Sequence, residues 1–259
     1  MKTPRPQPQA AFTMVEIAIS LAVIGFAMVA IIGVMPRGMN VQRQNREQTI
    51  INQDAGVFTS AIRNGVRGMD DLTNYVYEVR RYSQAFSVTA TTTNPVGGNV
   101  TYSYTNYGAK ALSNTPTYPI TNGFRIIGLL SWPKYEPDPK GGGFLSNHIV
   151  ASVRALSGPA AEKPPQTSAE VQADAFAYRM ICENMPLTAY GGNTPQGHQL
   201  TNNFSELRLT FRWPLLPTGE PGNGRQTFRT QVGGHVLQVD DARHALYFFE
   251  PKTFAQPPP

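Results

Sequence analysis

The chain has 259 residues, 22 Lys and Arg against 17 Asp and Glu, and a formal net charge of +5. Charged residues make up only 15%, well under the ~25% usual for soluble domains, and the positive excess is spread thinly. That pattern argues against a nucleic-acid platform, and a single cysteine, Cys182, rules out an intramolecular disulfide or a thiolate metal site.

Residues 1–11 form a basic leader carrying Lys2 and Arg5 and no acid, and ending on the small pair Ala10-Ala11. Phe12-Thr13-Met14-Val15-Glu16 follows, and then Ile17 to Met35 runs for nineteen residues without a formal charge. As a helix that run is about 28 Å long, close to the hydrocarbon thickness of a bilayer. A secretory signal places its small residues after the apolar run. Here they precede it, so cleavage at Ala11 leaves the helix attached as an anchor. Glu16 is costly at the head of such a segment unless it has a partner. The simpler account of Glu16 alone is an acid in a first helical turn, favoured by the helix dipole. Basic residues flank both ends of the apolar run, Lys2 and Arg5 before it and Arg37, Arg43 and Arg46 after it. The positive-inside tendency therefore does not set an orientation.

Gly33 and Pro36 predict a kink or short break near Val34–Gly38, because proline removes a backbone hydrogen bond. Over 36–68 an amphipathic helix resumes. Ile51, Ala55, Phe58, Ile62 and Val66 form a stripe of period near 3.6, with Gln, Asn, Arg and Asp on the opposite face. Gly65 and Gly68 close it.

From residue 69 to 259 the reading is a β-rich globular domain. Ala85 to Thr93 and Val100 to Tyr107 flank Asn94-Pro95-Val96-Gly97-Gly98 as a hairpin. Gly123 to Trp132 reads as an apolar strand ending at Pro133, and His148 to Leu156 as another. Ser157 to Ser168 reads as an exposed connection. Phe176, Tyr178, Met180 and Cys182 alternate, as do Leu207, Leu209, Phe211 and Trp213. Pro214 to Gly224 reads as a long turn, and Thr227 to Val232, Val236 to Val239 and Ala245 to Phe249 as a closing meander before a loose Ala255–Pro259 tail. The expected fold class is α+β: a long N-terminal transmembrane and amphipathic helix followed by a mostly antiparallel sheet.

The chain has no HExxH, GxSxG, Walker A, CxxC or GxGxxG pattern, so no enzyme activity and no cofactor are expected. His148, His198, His235 and His244 are far apart. A metal site would need His235 and His244 to meet across adjacent strands beside Asp240 or Asp241, and the plainer reading is a polar face and a turn. Asp240-Asp241 lacks the spacing of a calcium loop. Lys140-Gly141-Gly142-Gly143 reads as a flexible loop, and Asp70-Asp71 as the polar end of the helix. Cys182 reads as a small buried hydrophobe.

The basic leader, the Ala11/Phe12 junction, Thr13, Glu16 and the apolar run together resemble the type IV prepilin signal, with alanine at the cut where the family usually has glycine. The resemblance implies cleavage between Ala11 and Phe12 by a cytoplasmic-face prepilin peptidase, N-methylation of Phe12, and assembly through Phe12 and Glu16. It implies a single-pass inner-membrane protein whose C-terminal domain faces the periplasm. The chain would pass into a type II secretion or type IV pilus-like filament of other pilin-like subunits, through an assembly platform. Phe211-Arg212-Trp213-Pro214 and Gly222-Asn223-Gly224-Arg225-Gln226-Thr227-Phe228-Arg229 also look like the Verru_Chthon cassette protein B family of prepilin-like proteins. The alternatives are a minor pilin tip module binding substrate or DNA through Arg208–Arg229, and a membrane-anchored periplasmic enzyme.

Overall fold

The computed structural model describes residues 12–65, 69–92, 100–106, 122–137, 143–158, 176–187, 194–241 and 244–254. Its contacts divide the chain into two units, one up to Thr49 and one from Ile50 onward.

Helix α1, Met14–Asn64, runs through both. In the first unit it passes Gly33 and Pro36 as continuous helix, so of the expected kink or short break the break does not occur. Pro36 costs one backbone bond, and the many intact turns on either side of it hold the helix together.

In the second unit, Ile51, Ala55, Phe58 and Ile62 are all buried, as their spacing predicts; Val66 and Gly68 lie outside the described residues. One expectation fails there. Asp54 lies on the buried face, not the polar one, and is fully enclosed. Its Oδ1 accepts from the Ser157 backbone N–H (3.0 Å) and hydroxyl (2.6 Å), and its Oδ2 from the Leu156 N–H and the Tyr178 hydroxyl (2.9 Å each). Four donors on two oxygens make an enclosed carboxylate tolerable, and they fix the rotation of the last helical turns.

The sheet has seven strands. β1 (Val76–Thr92), β2 (Val100–Asn106), β3 (Tyr135–Pro137), β4 (Gly143–Arg154), β5 (Ala177–Pro186), β6 (Phe204–Leu215) and β7 (Pro221–Gly233) pair antiparallel in the order β2-β1-β4-β5-β6-β7, with β3 beside β4. The predicted hairpin is present, with Thr92 opposite Val100, although β1 starts nine residues earlier than its apolar pattern suggested. Alternation sorts the two faces. Ile149, Ala151, Val153, Tyr178, Met180, Cys182, Leu207, Leu209 and Phe211 share one core with the α1 stripe, and the intervening polar residues take the other face. The expected long turn after Pro214 is shorter: β6 continues to Leu215 and β7 begins at Pro221. The closing meander divides in two. β7 stays in the main sheet, while β8 (His235–Asp241) and β9 (His244–Glu250) form a separate hairpin.

The segment read as a strand at 123–132 is instead helix α2, Gly123–Leu130. A short apolar run does not distinguish a buried strand from a buried helix. Local chemistry decides here: the Asn122 side chain caps the helix by accepting from the Arg125 N–H at 2.9 Å. Asp70, in the 3-10 turn Asp70–Asn74, accepts from the Gly123 N–H at 3.1 Å. Gly128 lets Leu246 and Phe248 of β9 close on the helix, since a Cβ there would lie 2.8 Å from each. Phe124 stacks on Phe248 at 4.3 Å. A third helix, α3 (Pro195–Asn203), capped by Thr194, was not foreseen. Most of Ser157–Ser168 and the Ala255–Pro259 tail lie outside the described residues.

The C-terminal motif has a packing explanation. Trp213 faces Gly224 across β6 and β7, and a Cβ on Gly224 would sit 2.5 Å from the indole. Gly224→Ala is expected to cost about 1–3 kcal/mol in urea unfolding, and less in a Trp213→Leu background, a coupling that a double-mutant cycle measures.

Asp54→Asn replaces one acceptor by a donor facing donors, and should cost roughly 2–4 kcal/mol. Burial lifts the Asp54 carboxyl above its ordinary 3.8, outweighing the lowering by its hydrogen bonds. The folded chain therefore holds that proton to higher pH than the unfolded chain does. The resulting stabilisation is complete below about 3.8 and fades as pH rises through the folded value. Urea melts across this range should show the wild-type advantage over Asp54→Asn shrinking as pH rises.

Candidate functional site

The first unit carries the site. Thr13 and Glu16 face each other across the first turn of α1. The Glu16 N–H donates to the Thr13 hydroxyl at 3.3 Å, while the Thr13 N–H and hydroxyl approach a Glu16 carboxylate oxygen at 3.4 and 3.5 Å. This is the reciprocal Thr-x-x-Glu capping arrangement, at distances near the outer limit of hydrogen bonding. The sequence holds the signal, since Thr13 stands three residues before Glu16. Helical backbone bonds from the Glu16 and Ile17 N–H groups to the Thr13 carbonyl (3.1 and 3.2 Å) complete the start of the helix. Within the isolated chain, Glu16 thus satisfies helix-end donors with loose, exposed contacts.

Downstream, the apolar side chains have nothing against them. Every residue from Phe12 to Arg46 is exposed; Phe12 is 79% and Phe26 80% accessible. The helix contains an 18-residue window of mean hydropathy 2.7, none of it buried, and is long and apolar enough to cross a membrane. Exposed apolar surface on this scale marks a membrane or interaction segment or a signal sequence. Gly33 and Pro36 lie within this stretch, in unbroken helix. Ala11 and the leader lie outside the described residues.

The other candidates separate. His235 pairs with Glu250 and His244 with Asp241, at opposite ends of the β8–β9 hairpin, so the two histidines cannot share a metal. Asp241 instead bridges to Arg125 at 2.6 Å, and Asp240 accepts from Gln238. Among the described residues no three His, Cys, Asp or Glu side chains cluster as a metal site would require. Lys140 to Gly142 lie outside the described residues. Cys182 is enclosed, donates to the Leu130 carbonyl at 2.9 Å, and has its thiol pushed far up by burial, so it is the inert thiol the sequence suggested.

The thinly spread arginines do come together. Arg208 faces Arg229 and Arg212 faces Arg225 across β6 and β7, and Arg179 on β5 faces Arg212. Arg179 was not part of the sequence reading, because only strand register reveals its place in that row.

A comparison with protein families, with curated proteins and with solved structures finds no match for the chain. What stands is an α+β chain: a long apolar N-terminal helix followed by a mostly antiparallel sheet, an arrangement compatible with a pilin-like fold.

Replacing the cap tests the local geometry. Thr13→Ala should loosen the start of α1 by about 0.5–1 kcal/mol, read as faster amide exchange at Val15 to Ile17 in detergent micelles. The melting midpoint of the globular unit should not move.

Proposed function

We propose that the chain is a non-enzymatic, pilin-like structural subunit, a pseudopilin held in the bacterial inner membrane and assembled into a type II secretion or type IV pilus-like filament. One observation carries the reading: Phe12, Thr13 and Glu16 head an apolar helix of membrane length that no other described residue covers. A lipid bilayer covers such a helix before assembly, and neighbouring copies of the same helix cover it afterwards.

In this reading a prepilin peptidase cuts between Ala11 and Phe12, and the new Phe12 amine becomes the partner of Glu16 on a neighbouring subunit. The capping contacts at 3.3–3.5 Å are weak enough to exchange. Attraction between unit charges at 4 Å rises from ~1 kcal/mol in water to ~4 kcal/mol in a drier setting. Desolvation consumes much of that gain, so the pair sets register more than it adds stability. The sheet domain then faces the periplasm. The resemblance of the β6–β7 segment to Verru_Chthon cassette protein B suggests a cassette of several such subunits. Trp213 packing on Gly224 gives that segment a structural role in any member.

Glu16→Ala and Glu16→Gln separate the assembly role from anchoring. Both variants should insert into membranes at the wild-type level, yet lose filament incorporation by at least about tenfold, as a charge pair of this size implies. Cysteine crosslinking between neighbouring helices reads the incorporation. Wild-type incorporation of Glu16→Ala would make the segment a simple anchor, the arrangement of a membrane-tethered enzyme.

A further inference from the structure

β7 ends the strand order of the main sheet, and among the described residues no strand pairs along its outer edge. Free edges are templates for another extended chain. What distinguishes this one is its charge, laid out in rows by the strand register. Arg179, Arg212 and Arg225 face one another across β5, β6 and β7; Ile181, Thr210 and Thr227 form the next row, and Glu183, Arg208 and Arg229 the third.

In the third row Arg208 is neutralised internally, while Arg229 stays largely exposed, its side chain 64% accessible. Arg208 lies 3.6 Å from Glu183 and 3.1 Å from Glu206, which also reaches toward Arg229 at 4.0 Å. The first row has no acid. Arg179 donates to the Gly219 carbonyl, and its Nε is enclosed without a partner. Arg212 and Arg225 are both exposed, and neither makes an ion pair among the described residues. Like charges directly opposite across strands are destabilising. Lone charges on an edge strand also deter aggregation, but that role needs no arginine at 212, one strand in from the edge.

We propose that the outer edge of β7 is a docking strand for an extended acidic segment of a protein partner, with carboxylates that meet Arg225 and Arg229. Both arginines lie on one face of β7, four residues apart, with the exposed Thr227 between them. A strand added about 4.8 Å from β7 places its own residues i and i+4 opposite them. The segment therefore carries acids at i and i+4, with a hydrogen-bonding residue at i+2. A carboxylate opposite Arg225 is about 10 Å from the backbone at Arg212, a span that two long side chains cover. Nucleic acid fits less well, because the outward positions of β6 and β7 in these rows hold no aromatic for base stacking. This inference does not depend on filament assembly.

The test uses the full chain in detergent micelles and a fluorescent peptide repeating Glu-Ser-Thr-Ser, which puts Glu at i and i+4 and Thr at i+2 on one face, with anisotropy as the readout. Arg212→Gln/Arg225→Gln should weaken binding by about tenfold or more, and high salt should do the same. The helix control Arg37→Gln/Arg46→Gln should change little. The Arg212→Gln/Arg225→Gln variant should melt at an equal or higher temperature, since it removes facing like charges. Backbone N-methylation of the peptide should abolish binding. Undiminished binding of the N-methylated peptide, tighter binding of an oligothymidylate of equal charge, or absence of peptide binding would each overturn the proposal. So would a lower melting midpoint in the double variant, or self-association of that variant with peptide affinity unchanged.

Discussion

Among the described residues nothing covers the apolar surface of Ile17 to Met35, and the proposed function depends on that constraint. Nineteen uncharged residues in one helix are more apolar surface than a monomer leaves in water. In the proposed function a bilayer or a bundle of like helices supplies a cover, and a filament subunit that begins in a membrane uses both in turn. In the isolated chain Glu16 is occupied with Thr13, which satisfies the helix end.

The second unit solves a different problem with the same helix. From Ile50 onward the helix buries a stripe of aliphatic and aromatic side chains, and one carboxylate goes in with them. Asp54 joins the helix to the end of β4, through Leu156 and Ser157, and to β5, through Tyr178. Burial, with Asp54 beside it, holds the Tyr178 hydroxyl protonated well above its usual range, so it remains a donor at any physiological pH. Apolar packing alone tolerates small rotations of a helix on a sheet. Four directed bonds to one enclosed acid do not.

The parts legible in the sequence were those whose period is sustained over several residues. The α1 stripe, the alternating strands β4, β5 and β6, and the hairpin of β1 and β2 all followed from residue spacing. The failures have separate causes: a local cap with a tertiary contact, an enclosed hydrogen-bond set, and a helix long enough to pass a breaker. Residues 123–132 are apolar enough for a strand, yet Asn122 and the space at Gly128 make them helical. Asp54 has the composition of a polar face and the position of a core residue. Pro36 carries a breaker's chemistry inside a helix that continues past it. For the candidate site, Phe12 and Glu16 were legible as a motif and Thr13 as part of it, but the capping geometry came only from coordinates. The arginine rows were hidden because residues 179, 212 and 225 become neighbours only through strand register.

The central claim is that Phe12 becomes the mature N-terminus of a membrane-held subunit, and the mass of the N-terminal peptide tests it most directly. Protein extracted from membranes of its own host, digested and measured, should begin at Phe12 with one added methyl group on its amine. A peptide still beginning at Met1, or a mature chain beginning beyond Met35, would contradict the account.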